Sequence, residues 1–236
     1  QIVKDPETAR ILTPTQLYAR RPLCIDNYYE IYNQDNVTAA DIKNHPIVEI
    51  TPTGVTTADG KHHELDLLIF ATGFDTVDGN YRAMDLRGRD GRSINEAWPD
   101  GPRNYLAVAT AGFPNMFMIL GPGGPFANLP PVIETQVEYI AKLVGEAQRR
   151  HTAIEATPQA EEEWTMACRA TADATLFPLV DSWINGTNIP GKACNNDGFY
   201  LAGLAEYRAR LAEAANDRFR GFAFHAAASV ANRHTA

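Results

Sequence analysis

One apolar segment of strand length, residues 64–70, passes abruptly into the small residues Ala71, Thr72 and Gly73. Parallel strands that are buried on both faces have such apolar runs, and their carboxyl ends lie where open α/β sheets bind ligands. The segment therefore predicts a buried strand of an α/β fold, with small residues that let a nucleotide approach the backbone. A buried strand that ends in an ordinary tight turn explains the same pattern.

Composition and charge limit the classes of protein that fit this chain. Its 236 residues are 44% hydrophobic and 21% charged, which is typical of a soluble globular protein with one large or two small domains. A net charge of −8, without a Lys/Arg-rich run, argues against nucleic acid or an anionic membrane surface as a partner. The sequence has no apolar stretch near the ~20 residues of a membrane span, and its first residues do not resemble a signal peptide. We therefore expect a cytoplasmic protein.

Cysteine and histidine positions give no sign of a metal site or a disulfide framework. Cys24, Cys168 and Cys194 are far apart, and the six histidines form no i,i+4 pair. We assign no metal. The chain begins with Gln1 rather than Met, and we expect it to be a fragment of a longer protein.

Turn signals divide the first half of the chain into short strands. Ile47–Ile50 and Val55–Thr57 are rich in β-branched residues, and Asp59-Gly60 is a hairpin signal, so a small meander is predicted before the apolar run. The polar region after Asp75 is predicted to be loop or linker. Two further strands are predicted at Tyr105–Thr110 and Met116–Leu120.

Helical patterns dominate the second half of the chain. Two prolines open a helix that ends with an arginine pair at 149–150, and Thr157 followed by Pro158 predicts the capped start of the next helix. Trp164 and Cys168 are predicted to pack on the protein side of that second helix. An irregular stretch at 181–192 precedes a last helix near 201–219.

Three local features are candidates for chemistry, each with a plainer explanation. The pair Arg20-Arg21 before Pro22 could clamp a phosphate or could be solvated surface. Trp183, among Gly, Asn and Pro residues, could stack on a ligand or anchor its own loop. The turn at 121–125 could admit a planar cofactor or simply connect a strand to a helix.

Taken in order, these features resemble the C-terminal part of flavin-dependent Baeyer–Villiger monooxygenases of the cyclohexanone monooxygenase type. The resemblance extends over nearly the whole chain. The segments that carry it are 3–9, Arg21-Pro22, 28–30, 35–37, 66–75, 112–115, Gly121-Pro122, 181–183 and 188–192.

The resemblance implies an α/β fold made of the C-terminal portions of two interleaved dinucleotide-binding, Rossmann-like domains, with the N-terminal halves missing. Residues 1–70 would complete the NADP-binding domain. Residues 71–236 would complete the FAD-binding domain, with a substrate-side bulge and a mobile loop at about 181–195. The glycine-rich phosphate-binding motifs would lie N-terminal to this region, so the missing half would be supplied in cis or by a second chain.

The implied activity is an FAD- and NADPH-dependent oxidation by molecular oxygen, which converts a cyclic or hydrophobic ketone to an ester or lactone through a peroxyflavin. Arg21 would be the catalytic residue beside the flavin, because a guanidinium that stays charged can stabilise the anions that form. Arg20 replaces a family lysine that meets the NADP 2′-phosphate. Two alternatives stay open, namely an inert nucleotide-binding remnant without flavin and a flavin monooxygenase that oxygenates sulfur or nitrogen.

The resemblance also implies the remaining site residues. Closure of the loop would shield the reaction from water. The implied cofactor-binding residues, besides the two arginines, are Thr72, Gly73, Asn128, Leu129, Trp183, Asn188 and Lys192, and the implied substrate-side residues are Gly124, Pro125, Phe126 and Ala127.

Overall fold

The computed structural model describes residues 2–20, 23–192 and 197–226, and the chain divides into two compact units, Gln1–Gly73 and Phe74–Ala236. Helices and strands together agree with the predicted α/β class. The assignment of residues 1–70 to an NADP-binding domain and of 71–236 to an FAD-binding domain stays a prediction.

The first unit contains a short helix and the predicted antiparallel meander. Asp5 caps helix α1 (Pro6–Leu12), because its carboxylate accepts a hydrogen bond from Thr8 N at 2.7 Å. Strands β1 (Ile47–Thr51), β2 (Gly54–Thr57) and β3 (His62–Glu64) pair in the order β1-β2-β3. The meander and its Asp-Gly turn are therefore confirmed.

The apolar run that follows the meander is not a buried strand, and that prediction is wrong for this chain. Leu65 N still donates to Thr53 O at 3.0 Å, but Leu67, Ile69 and Phe70 are 73%, 77% and 69% exposed. A parallel strand needs neighbouring strands for its backbone and helices over both faces. No strand among the described residues pairs with 65–70, so the segment is unpaired and largely exposed.

The second unit is built mainly of helices, with short strand pairs between them. In chain order its α-helices and strands are α2 (Gly79–Arg82), α3 (Ile94–Ala97), β4 (Gly124–Pro125), α4 (Leu129–Arg150), β5 (Thr152–Ala156), α5 (Pro158–Asp173), β6 (Phe199–Tyr200), α6 (Gly203–Asn216) and β7 (Phe222–Ala226). Strand β4 runs parallel to β6, and β5 runs antiparallel to β7.

The three long helices confirm the helical predictions. Prolines occupy the first turn of α4, and the Thr157 hydroxyl accepts a hydrogen bond from Ala160 N at the start of α5. Trp164 and Cys168 are buried, as predicted, and the Trp164 ring lies 4.8 Å from that of Tyr200. The described helices contain no stretch that is both long and apolar enough to cross a membrane. The cytoplasmic location stays a prediction.

The region after Asp75 is not a linker, because it has a core of its own. Trp98 is fully buried with Ile94, Phe113 and Met118, and its indole N–H donates to Arg103 O at 2.8 Å. Ser93 and Glu96 form a capping box at the start of α3. The helices here have one turn each, which is too short to produce a detectable apolar period in the sequence.

The two strands predicted at 105–110 and 116–120 are also wrong. Leu106 and Ala107 have φ values of 54° and 58°, and Tyr105 N donates to Ala109 O at 2.8 Å, so the first segment is a tight turn. The second segment runs beside it, with Met118 N donating to Val108 O at 2.9 Å. Leu106, Val108 and Met118 are buried in turns and loops of the core rather than in strands, whereas Ile119 and Leu120 are exposed.

Candidate functional site

A cavity of about 330 Å³ lies within the second unit, between the segment that follows Gly73 and the irregular loop at 181–192. It contains two of the predicted cofactor-binding residues, Trp183 and Lys192. Its lining residues are Asp75, Thr76, Val77, Asp78, Arg82, Pro99, Gly101, Pro102, Trp183, Ile184, Asn185, Gly186, Ile189, Gly191, Lys192 and Gly198.

Hydrogen bonds inside the 181–192 loop give it a defined shape. The buried Asn185 side chain donates to Val180 O at 2.9 Å and accepts from the Thr187 hydroxyl at 2.9 Å. The same hydroxyl oxygen accepts from Ser182 N at 2.8 Å. Buried polar groups that satisfy each other in this way hold a loop in one conformation.

The loop is anchored to residues 74–78 from several points. Lys192 Nζ lies 2.5 Å from an oxygen of Asp75 and 2.5 Å from an oxygen of Asp78. The Thr76 hydroxyl donates to Trp183 O at 3.0 Å, and Asn188 Nδ2 donates to Phe74 O at 3.2 Å. The structure therefore brings Trp183, Asn188 and Lys192 together in one loop that covers the cavity.

Two carboxylates and two cations share the cavity wall. Asp78 is buried, and its second oxygen accepts a hydrogen bond from Arg82 Nε at 2.5 Å. Burial opposes ionisation, but Arg82 and Lys192 hold the pKa of Asp78 below its ordinary value. Burial also opposes the charge of Lys192, yet Asp75 and Asp78 raise its pKa. The cations are thus already paired with carboxylates, so this wall is polar without a strong net charge.

A row of aromatic rings connects the loop with the predicted substrate-side residues. The Trp183 ring lies 6.2 Å from that of Phe199, and Phe199 lies 5.4 Å from Phe126. Phe126 in turn lies 5.8 Å from Phe177. All three contacts are edge-to-face, the favourable geometry for aromatic pairs. These contacts therefore connect Trp183 of the loop with Phe126.

Comparison with known proteins identifies relatives of this chain. No family model matches it. A phenazine N-monooxygenase of Lysobacter antibioticus is 55% identical over 226 residues, which are 95% of this chain and 42% of the relative. A Baeyer–Villiger monooxygenase of Pseudooceanicola batsensis is 56% identical over 209 residues, which are 88% of this chain and 38% of the relative.

A solved structure also matches nearly the whole of this chain. The NADP+-bound cyclohexanone monooxygenase of Rhodococcus sp. Phi1 matches with a TM-score of 0.92 and 58% identity, over 96% of this chain and 43% of that one. The chain belongs to the Baeyer–Villiger monooxygenase family. It spans about two fifths of the length of the curated relatives it matches.

The other sites that the Baeyer–Villiger monooxygenase resemblance implies are spread over both units. In the second unit, Gly124 and Pro125 form the buried strand β4, Ala127 is half-buried, and Asn128 and Leu129 are exposed at the start of α4. In the first unit, Thr72 and Gly73 are exposed, and Arg20 donates to Gln16 Oε1 at 2.9 Å. Arg21 lies outside the described residues.

Sequence reasoning missed two charged residues of this cavity, Asp78 and Arg82. Their i,i+4 spacing is a readable signal, since residues so spaced are neighbours on a helix. Nothing local connects Lys192 with its carboxylate partners, because Lys192 and Asp75 are 117 positions apart. Among the described residues, no group of His, Cys, Asp and Glu side chains is arranged to hold a metal ion.

Proposed function

We propose that the protein containing this chain is an FAD- and NADPH-dependent monooxygenase. It inserts one atom of molecular oxygen next to the carbonyl of a cyclic or otherwise hydrophobic ketone and forms an ester or lactone. The observation that carries this proposal is the 56% identity over 209 residues to a Baeyer–Villiger monooxygenase. The activity belongs to the whole protein, of which this chain corresponds to about two fifths of the relatives' length.

The same relationship supports the proposed division into two interleaved dinucleotide-binding domains. In this arrangement residues 1–70 belong to the NADP-binding domain and 71–236 to the FAD-binding domain. The exposed apolar run at 65–70 would be a strand of a sheet whose other strands are supplied in cis or by a second chain. Such neighbours would cover the faces of Leu67 and Ile69, which are 73% and 77% exposed here.

The residues of the cavity fit one part of NADP better than another. Trp183 offers an indole N–H and Gly186 a backbone peptide group, which suits the hydroxyl and carboxamide groups of a nicotinamide riboside. Phosphate groups fit poorly beside the carboxylates of Asp75 and Asp78. The nearby cations, Arg82 and Lys192, are already paired with these carboxylates. We therefore propose that Trp183, Asn188 and Lys192 hold the nicotinamide end of NADP under the closed loop, and that other residues hold the phosphates.

Each remaining residue has a proposed role that its chemistry supports. FAD, reduced by NADPH, would supply the oxygen-activating chemistry when bound. Arg21 would stabilise negative charge on the reacting atoms, because a guanidinium does not lose its proton at working pH. Arg20 would contact the 2′-phosphate of NADP. Gly124 to Ala127 would form the substrate side, with Phe126 limiting the size of the ketone.

The test uses a reconstituted enzyme, which we define as this chain joined to the part of the Pseudooceanicola batsensis relative that it does not match. We expect a flavin absorption band that bleaches with NADPH, and cyclohexanone converted to its lactone. Arg21→Ala should keep NADPH oxidation but lose ester formation, whereas Arg10→Ala, a surface arginine paired with Glu7, should change neither. A colourless protein, or lactone formation by Arg21→Ala, would contradict the corresponding assignment.

Oxygenation of nitrogen is a second candidate, because the phenazine N-monooxygenase is 55% identical over 95% of this chain. The reconstituted enzyme is therefore also supplied with phenazine and with a thioether. Lactone as the main product favours the ketone reaction. An N-oxide formed with a kcat/KM above that for every ketone tested would favour the alternative. NADPH oxidation without flavin would exclude both, and a protein without either activity would be the inert remnant.

A further inference from the structure

Buried polar side chains hold the backbone that leads into the proposed substrate side. Gln136 of α4 is fully buried, and its Oε1 accepts a hydrogen bond from Leu120 N at 2.7 Å. Its Nε2 donates to the hydroxyl of Tyr207 of α6 at 3.0 Å, and that hydroxyl donates to Leu106 O at 2.7 Å. The two hydrogen bonds of the Tyr207 hydroxyl are buried, and Gln136 itself is fully buried, so a lost partner is costly there.

Asn104 connects the same two segments from the other side. Its Nδ2 donates to Pro122 O at 2.7 Å, and its Oδ1 accepts from Ala107 N at 2.9 Å. Gly121 packs so closely that a Cβ atom there would lie 2.4 Å from Ala107 O. The turn at 105–109 and the loop at 120–124 therefore form one hydrogen-bonded body.

This body continues to Phe126. Gly123 N donates to Gly198 O at 2.9 Å, and Phe126 N donates to Tyr200 O at 3.1 Å. With φ of +72°, Gly123 has no room for a side chain, since a Cβ would lie 2.9 Å from the indole nitrogen of Trp164. Residues 121–125 therefore have little freedom to adjust, so a shift of Leu120 would also displace Phe126.

We propose that Gln136 and Tyr207 are positioning residues for the ketone site. Neither touches the ketone; their hydrogen-bonded pair fixes Leu120 and, through residues 121–125, the place of Phe126. The inference rests on the proposed function, because it assumes that Phe126 faces a ketone. Misplacement of a contact by about 1 Å can lower the reaction rate on the order of 100-fold. A hydrogen bond remote from the reacting atoms can therefore affect the rate.

The test compares Tyr207→Phe with Tyr139→Phe in the reconstituted enzyme, using racemic 2-methylcyclohexanone. Both changes remove one buried hydroxyl, but that of Tyr139 has no hydrogen-bond partner among the described residues. For Tyr207→Phe we expect KM to rise about fivefold and the ratio of the enantiomeric lactones to change about threefold. Reduction of the flavin by NADPH without ketone should stay within about twofold. Tyr139→Phe should match the unaltered enzyme.

A second variant protects the test against a folding defect. Gln136→Met keeps the volume of the side chain and removes both hydrogen bonds, and it should shift the enantiomer ratio in the same direction as Tyr207→Phe. The inference is overturned if both variants keep the KM and the enantiomer ratio of Tyr139→Phe. It is equally overturned if flavin content, reduction rate and lactone formation fall together, because that pattern means a merely structural role. If the unaltered enzyme forms no lactone, the proposed function fails first and the inference fails with it.

Discussion

At the scale of single residues, the charges at the cavity are linked through Lys192. The lysine forms ion pairs with Asp75 and Asp78 and donates to Thr76 O at 3.0 Å. Asp78 is 2% exposed, so its negative charge depends on Arg82 and Lys192 for compensation. A buried charge that loses one partner is expensive, which gives this lysine a larger effect than a surface lysine has.

We predict that Lys192→Met weakens closure of the loop by about 1–3 kcal/mol, because it leaves buried Asp78 with one cation instead of two. In the reconstituted enzyme, a larger share of the NADPH oxidation should then yield hydrogen peroxide, and a smaller share should yield lactone. The ratio of peroxide to lactone measures this. Lys142→Met, at an exposed position of α4, is the control. Equal ratios in both variants would contradict the anchoring role.

Glu161 carries the second prediction at this scale. Burial raises the pKa of its carboxyl, although the Thr110 hydroxyl and Ala111 N donate to it. A raised carboxyl pKa means that the folded state binds the proton more tightly than the unfolded state. The stability of the chain should therefore fall as pH rises from the ordinary carboxyl pKa through the raised one.

Glu161→Gln should remove this part of the pH dependence, because an amide oxygen can still accept the two hydrogen bonds without a charge. Urea unfolding of the purified chain between about pH 4 and pH 7 measures it. As pH rises, the free energy of unfolding of the variant should increase relative to that of the unaltered chain. Glu163→Gln, on the exposed side of α5, should keep the original slope, and a parallel pair of curves for Glu161→Gln would refute the assignment.

At the scale of elements, local chemistry accounts for the helices that the sequence predicts correctly. Thr157 caps α5 through its hydroxyl, and prolines open α4, so both starts are determined by neighbouring residues alone. The segments 105–110 and 116–120 have equally apolar sequences but are not strands. Ala107 N donates to the side chain of nearby Asn104, and Leu120 N donates to Gln136 of α4. The spacing of apolar residues indicates which side chains are buried, but it does not indicate which groups form hydrogen bonds with the backbone.

For the cap of α5 we predict that Thr157→Ala destabilises the chain by about 1 kcal/mol, because Ala160 N loses its acceptor. Thr157→Ser keeps a hydroxyl at the same place and should restore most of the stability. Urea unfolding of the three proteins measures both effects. A loss of stability in the serine variant equal to that in the alanine variant would mean that the methyl group matters and the cap does not.

The candidate site shows the same limit of sequence reasoning. Trp183, Asn188 and Lys192 could be named because they belong to one loop and resemble one family, and the structure places them in one loop over a cavity. Asp78 and Arg82 were missed, since Asp78 pairs with Lys192 more than a hundred positions away and Arg82 acts through its ion pair with Asp78. Arg21 remains an inference from the family, because it lies outside the described residues.

At the scale of the whole molecule, this chain corresponds to only part of its relatives. It spans 42% and 38% of the two curated relatives, and its apolar run at 65–70 lacks a paired strand among the described residues. An exposed apolar strand edge invites pairing with another chain. The same segment should therefore behave in opposite ways in the isolated chain and in the reconstituted enzyme.

We predict that the isolated chain self-associates as its concentration rises, and that Ile69→Lys reduces this association. Ile69 is 77% exposed, and a charge there should oppose strand pairing without disturbing a packed core. In the reconstituted enzyme the same change should lower the flavin content of the purified protein, because it would place a charge inside the proposed buried strand. Sedimentation velocity measures the first effect and flavin absorbance the second.

Ile42→Lys provides the matched control, since Ile42 is 56% exposed in the first unit but lies outside the apolar run. It should leave both association and flavin content unchanged. If Ile42→Lys reduces association as much as Ile69→Lys, general surface charge explains the result. If Ile69→Lys leaves the flavin content intact, residues 65–70 stay at the surface in the longer protein too, and the proposed strand is wrong.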